Sequence, residues 1–104
     1  MKIKIVKKLR QVGSHRGGII RVSREVPKGK DRKEVITHEK IEHHLMKPKK
    51  EGGRGMKEAQ AHKISDAMTK NIYYRNNEKG WNKHQKLIKK IHKKGGWNKH
   101  ENNL

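Results

Sequence analysis

Residues 37–44 read Thr-His-Glu-Lys-Ile-Glu-His-His, the densest group of metal-binding and acid–base side chains in the chain. The stretch differs by one residue from H-E-x-x-H, in which histidines four apart on a helix reach one zinc and the glutamate between them acts as a base. Position 42 is Glu42, so His38 has no histidine partner at that spacing. His38 with Glu42, or Glu39 with His43, supplies half a site, and a third ligand has to come from His62, His84, His92 or elsewhere. The simpler reading is a solvated His/Glu stretch that titrates near the ordinary histidine pKa of ~6.5. The expectation from sequence is no metal and no cofactor.

Other catalytic signals are weaker still. The segment Gly13–Gly18, Gly-Ser-His-Arg-Gly-Gly, lacks the G-K-[ST] ending of a phosphate-cradling loop, and no G-x-G-x-x-G occurs. Carboxylates are scarce, and neither the two Asp, Asp31 and Asp66, nor the eight Glu pair in sequence in a way that marks acid–base work. Ser14, Ser23 and Ser65 have histidines near them in sequence only. Without cysteine there is no disulfide framework, thiolate site or thiol nucleophile. A non-enzymatic protein is expected.

Charge points elsewhere. The 104 residues carry 29 Lys+Arg against 10 Asp+Glu, a formal charge of +19. Both halves share it, with +10 in residues 1–52 and +9 in 53–104. Nucleic acid is the natural partner, because neutralising phosphates releases counterions without any base reading. Lysine outnumbers arginine 22 to 7, which favours point contacts to the backbone over bidentate reading of bases. The expected contacts are Lys7, Lys8, Arg10 and Arg16 near the N-terminus and Lys47, Lys49, Lys50 and Arg54 in a Gly/Lys segment. Lys83, Lys86, Lys89, Lys90, Lys93 and Lys94 crowd the last helix, with Lys86, Lys90 and Lys93 on one face.

The pentapeptide Gly-Trp-Asn-Lys-His occurs twice, at 80–84 and 96–100, and holds both tryptophans. Asn82 with Gln85, and Asn98 with Glu101, have the spacing of a helix N-cap and its N3 partner. This reading starts one helix near residue 82 and ends it near 94 at Gly95-Gly96, with Trp97 folding back onto Ile91. Trp81 and Trp97 are packing residues in this scheme and candidate base-stacking or partner anchors in the other.

The elements that would carry these residues form an α+β pattern. Residues 1–9 alternate, with Ile3 and Ile5 on one face, and 18–26 place Ile20, Val22 and Val26 on one face. Around the turn at 13–18 they predict an N-terminal β-hairpin. Residues 38–46 predict a helix, while 32–37 suit either its start or a third strand. Residues 47–56 are a Gly/Lys linker, expected to be flexible. Met56, Gln60, Ile64, Met68 and Ile72 fall at steps of four and predict an amphipathic helix. The expected division is a basic hairpin unit (1–46), the linker (47–56), and a helical hairpin with a basic tail (57–104).

Ile, Val and Leu total 19 residues, so the core must be thin and parts of the free chain are expected to order only on binding. Apolar runs of two or three residues are too short for a membrane-spanning helix, and the N-terminus lacks the apolar core of a signal peptide. An intracellular place, cytoplasm or nucleoid, with no membrane partner is expected. The functional expectation is a nucleic-acid-binding protein, with RNA of a ribosome-associated or transcription-elongation complex ahead of DNA. The alternative is a small regulator that binds an acidic groove of a larger protein such as an RNA polymerase or nuclease.

Overall fold

The computed structural model describes residues 2–7, 9 and 11–94. Strand β1 is Lys2–Val6, β2 is Gly13–Ser14 and β3 is Ile19–Ser23. Three helices follow: α1 (Lys30–Met46), α2 (Glu58–Tyr74) and α3 (Glu78–Lys94). The chain is therefore α+β, a three-stranded sheet followed by three helices. Among the described residues no helix is long and apolar enough to cross a membrane.

The sheet order is β1-β3-β2. β1 runs parallel to β3, with Ile3 beside Ile20 and Ile5 beside Val22, whereas β2 runs antiparallel to β3 through Gly13–Val22 and Ser14–Arg21. The hairpin expected between the two alternating runs is not formed, because β1 and β3 run parallel. The chain reverses twice between them, and the residues from 7 to 18 are long enough for the crossover that parallel strands need. The second reversal uses Gly17 and Gly18, at φ 64° and 73°, a region that glycine enters without a Cβ clash. β3, the central strand, buries Ile20 and Val22 completely, while edge-strand residues Ile3 and Ile5 remain 40% and 43% exposed. Ile20, Val22, Val26, Val35 and Ile91 form the core, with Val12, Ile36, Leu87 and Ile88 packed around it.

Residues 32–37 belong to α1, not to a third strand. Asp31 in the first turn matches the helix dipole. The segment after α1 turns back on it: Met56 N donates to Leu45 O at 2.8 Å and Gly55 N to Lys47 O at 2.8 Å. These bonds satisfy carbonyls that a helix end leaves open.

α2 buries Ala61, Ser65, Thr69 and Tyr74. The apolar row read from the sequence points elsewhere, and Met68 and Ile72 are 44% and 55% exposed. Small side chains form the buried face because α2 lies close against α1. α3 starts four residues before the expected cap at Asn82, which lies inside the helix. Asn77 does the capping, its Oδ1 accepting from Gly80 N at 2.9 Å. The second pentapeptide, with Trp97 and the basic tail, lies outside the described residues.

Candidate metal centre

The buried stripe of α1 is chemically unusual: Glu34, Val35, His38, Glu39, Glu42 and Leu45. Its spacing is that of any core-facing helix, but four of the six side chains ionise. Buried groups of this kind need partners, and α2, α3 and the turn after β2 supply them.

His38 and Glu42 lie four apart on α1, and His62 and Asp66 lie four apart on α2, so each pair shares a helix face. The two faces meet. His38 Nε2 is 2.9 Å from Glu42 Oε2, His62 Nδ1 is 3.2 Å from the same oxygen, and the two nitrogens are 3.2 Å apart. Three donor atoms thus form a nearly equilateral triangle. Ligand atoms held ~2.0–2.1 Å from a tetrahedral ion stand ~3.3 Å apart, so this triangle has the dimensions of one face of a coordination shell.

Asp66 fixes the outer ends of both imidazoles. Its Oδ1 is 3.2 Å from His38 Nδ1, and its Oδ2 is 3.3 Å from His62 Nε2. A carboxylate that accepts the far N–H of a ligating histidine sets its tautomer and turns the other nitrogen's lone pair inward. Here one carboxylate lies at ion-pair distance from the outer nitrogens of two histidines. Access is one-sided: the His38 and Glu42 side chains are 9% and 7% exposed, whereas His62 is 58% exposed. The α1 wall is closed and the α2 wall opens to solvent.

The carboxylates hold protons firmly on both imidazoles. Burial alone would lower the His38 pKa, but hydrogen bonds to Asp66 and Glu42 raise it to about 10. Hydrogen bonds to the same two carboxylates raise His62 to about 9 against burial and the opposing charge of His38. Burial would raise Glu42, but its bonds with His15, His38 and His62 hold it well below the usual carboxylate range. Burial likewise opposes ionisation of Asp66, and His38 and His62 hold it low. The metal-free state therefore sets two imidazolium N–H groups 3.2 Å apart, aimed at one oxygen. A divalent cation bound there would have to displace both protons, so its affinity would rise with pH.

His15 joins from the other side, its Nε2 lying 3.1 Å from Glu42 Oε1 and 4.0 Å from Glu39 Oε2. Its hydrogen bond to Glu42 raises its own pKa against burial. Gly13 makes room for this arrangement: a Cβ there would lie 2.8 Å from Val35 Cγ1 and 3.0 Å from Glu39 Cγ. Glu39 keeps one oxygen without a hydrogen bond, since buried Oε2 has no such partner. Burial, with the charge of Glu42, pushes its carboxyl up to about 7.

The other two histidines named as third-ligand candidates are used differently. His84 is 2% exposed, and its Nδ1 meets Asp31 Oδ1 at 2.6 Å while its Nε2 meets Glu34 Oε1. Both nitrogens are spent on carboxylates of α1, which makes His84 a clamp between α3 and α1. Tyr74 of α2 stacks on it at 5.3 Å and donates to Asp31. His92 Nε2 accepts from Val12 N at 3.1 Å.

The residues expected to bind nucleic acid lie away from this cluster's bonds. Lys7, Arg16, Lys49, Lys50, Arg54 and all six lysines named on α3 are exposed, while Lys47 and Trp81 are half-buried. Trp81 packs edge-on against Tyr74 at 5.6 Å. Lys8, Arg10 and Trp97 lie outside the described residues. Sequence reasoning reached His38, Glu42 and His62 but missed His15 and Asp66. The readable signal for Asp66 was a second i, i+4 His–carboxylate pair on a helix. No protein-family model, curated protein or solved structure matches this chain.

Proposed function

We propose that the protein is a single-metal hydrolase of amide bonds, with a divalent ion, zinc by its donor set, held between α1 and α2. His38 Nε2, Glu42 Oε2 and His62 Nδ1 are the ligands, a His2Glu set that leaves a fourth position for water. The observation that carries this reading is the triangle of these three atoms, 2.9–3.2 Å on its edges. The ion supplies Lewis acidity, lowering the pKa of its water and polarising a substrate carbonyl.

Glu39 acts as general base. It follows His38 directly, its Oε2 is free of hydrogen bonds, and burial with the charge of Glu42 pushes its carboxyl above the ordinary range, toward the region that suits a general base. With an ion bound, Glu39 would take the proton of the water that attacks the carbonyl carbon and return it to the leaving amine as the C–N bond breaks. The same two-histidine, one-carboxylate set also suits iron, but an adjacent uncommitted base favours hydrolysis. His15, bound to the other oxygen of Glu42, keeps that carboxylate oriented.

The test is incubation of the zinc-loaded protein with a mixed peptide library, reading new N-termini by mass spectrometry. The wild type is expected to cleave, and Glu39→Gln to bind zinc equally while losing ~10²–10⁴ in rate. Absence of cleavage by the zinc-loaded wild type, or equal cleavage by Glu39→Gln, overturns the hydrolase assignment.

A further inference from the structure

We infer that α3 presents a lysine stripe that binds the phosphate backbone of nucleic acid, an activity independent of the metal centre. Lys79, Lys83, Lys86, Lys90 and Lys93 follow one another at steps of 4, 3, 4 and 3, and all five are exposed. Steps averaging 3.5 residues stay close to the helical period, so the five lie in one line ~21 Å long. The opposite side of α3 carries His84, Leu87, Ile88 and Ile91, which pack inward. Burial of that side fixes the direction in which the stripe points. Starting α3 at Glu78 adds Lys79 to the row that the sequence already indicated.

The stripe is uncompensated. Glu78, the one acid in α3, pairs with Lys70 of α2 at 2.7 Å, and Lys94, off the stripe, pairs with Glu25 at 3.0 Å. Among the described residues none of the five stripe lysines has an ion-pair partner. Neighbours three and four apart on a helix repel when they carry like charge, and the fold asks only that these positions be polar. A row of cations that destabilises its own helix is relieved by a polyanion. Its spacing decides which one. Evenly spaced cations over ~21 Å match a polymer of evenly spaced anions better than the irregular carboxylates of a protein groove. Lysine makes such contacts as a point charge, holding the backbone without reading bases.

The test is fluorescence anisotropy with labelled single-stranded RNA, double-stranded RNA and duplex DNA over a series of salt concentrations. Five neutralised phosphates predict a log–log salt slope of about −4.5 on duplex DNA and about −3.5 on a single strand. Lys86→Gln/Lys90→Gln/Lys93→Gln is expected to reduce the slope by two to three units and affinity at least tenfold, with an unchanged circular-dichroism spectrum. Lys28→Gln/Lys33→Gln/Lys40→Gln, which removes three exposed lysines elsewhere, is the matched control and is expected to lose far less. Equal losses in the two variants would assign binding to bulk charge and overturn the stripe. Weak binding of the wild type to every nucleic acid would overturn it too, leaving an acidic protein surface as the partner.

Discussion

Asp66 orients two imidazoles at once, because its two oxygens reach His38 Nδ1 and His62 Nε2 at 3.2 and 3.3 Å. An asparagine in its place keeps the size but offers only one acceptor, so one imidazole loses its anchor and part of its basicity. Asp66→Asn should weaken zinc binding about 10- to 100-fold in a chelator competition, the usual cost of losing such a support. Unchanged affinity would mean that the histidines are oriented by packing alone. Glu39 shows the opposite design. Its environment leaves Oε2 without a hydrogen-bond partner inside the protein, as is also true of Oε2 of Glu34 in the His84 clamp.

At the scale of elements, α1 is shared by three sets of partners. Near its start Asp31 and Glu34 grip His84 of α3, and further on His38 and Glu42 face α2 while Glu42 also meets His15. The His84 clamp makes α3 docking depend on pH. Burial would lower the His84 pKa, but the bonds to Glu34 and Asp31 outweigh it and raise it above the ordinary 6.5. A histidine raised in the folded state contributes stability fully below its unfolded pKa and loses it as pH rises through the folded value. Facing groups are the two carboxylates, the Tyr74 ring, and Lys30 over that ring at 4.3 Å. His84→Gln should therefore lower the melting temperature more near pH 6 than near pH 9–10. His38, His62 and His15 are raised too, so the wild-type minus variant difference isolates the clamp. A pH-independent difference, or a larger one at high pH, would remove it.

The same elements show what could be read from sequence. The alternation of Ile20, Val22 and Val26 and the helical character of 58–74 were legible, because each is a local period. The pairing of β1 with β3 was not, since alternation carries no strand direction. The buried face of α2 was misread because it is built of Ala61, Ser65 and Thr69, which a hydrophobic count passes over. The metal centre needed contacts across 20, 24 and 27 residues. A motif scan along one helix sees only His38, Glu39 and Glu42.

For the whole molecule the two features divide the surface. The lysine stripe takes one side of α3, and the histidine centre opens where α2 exposes His62. Among the described residues no lysine or arginine takes part in the hydrogen bonds and ion pairs of that centre, so the charge of +19 lies outside it. A bound cation would also join α1 to α2 and add to the stability of a chain whose core rests on few apolar side chains. The central claim is that His38, Glu42 and His62 hold one ion. X-ray absorption at the zinc edge, on protein loaded to measured stoichiometry, tests it most directly. One zinc per chain is expected, with two imidazole nitrogens and a carboxylate oxygen at ~2.0–2.2 Å, and His62→Ala should lose one imidazole and most of the affinity. A failure to bind zinc, or a shell that His62→Ala leaves unchanged, would contradict the account.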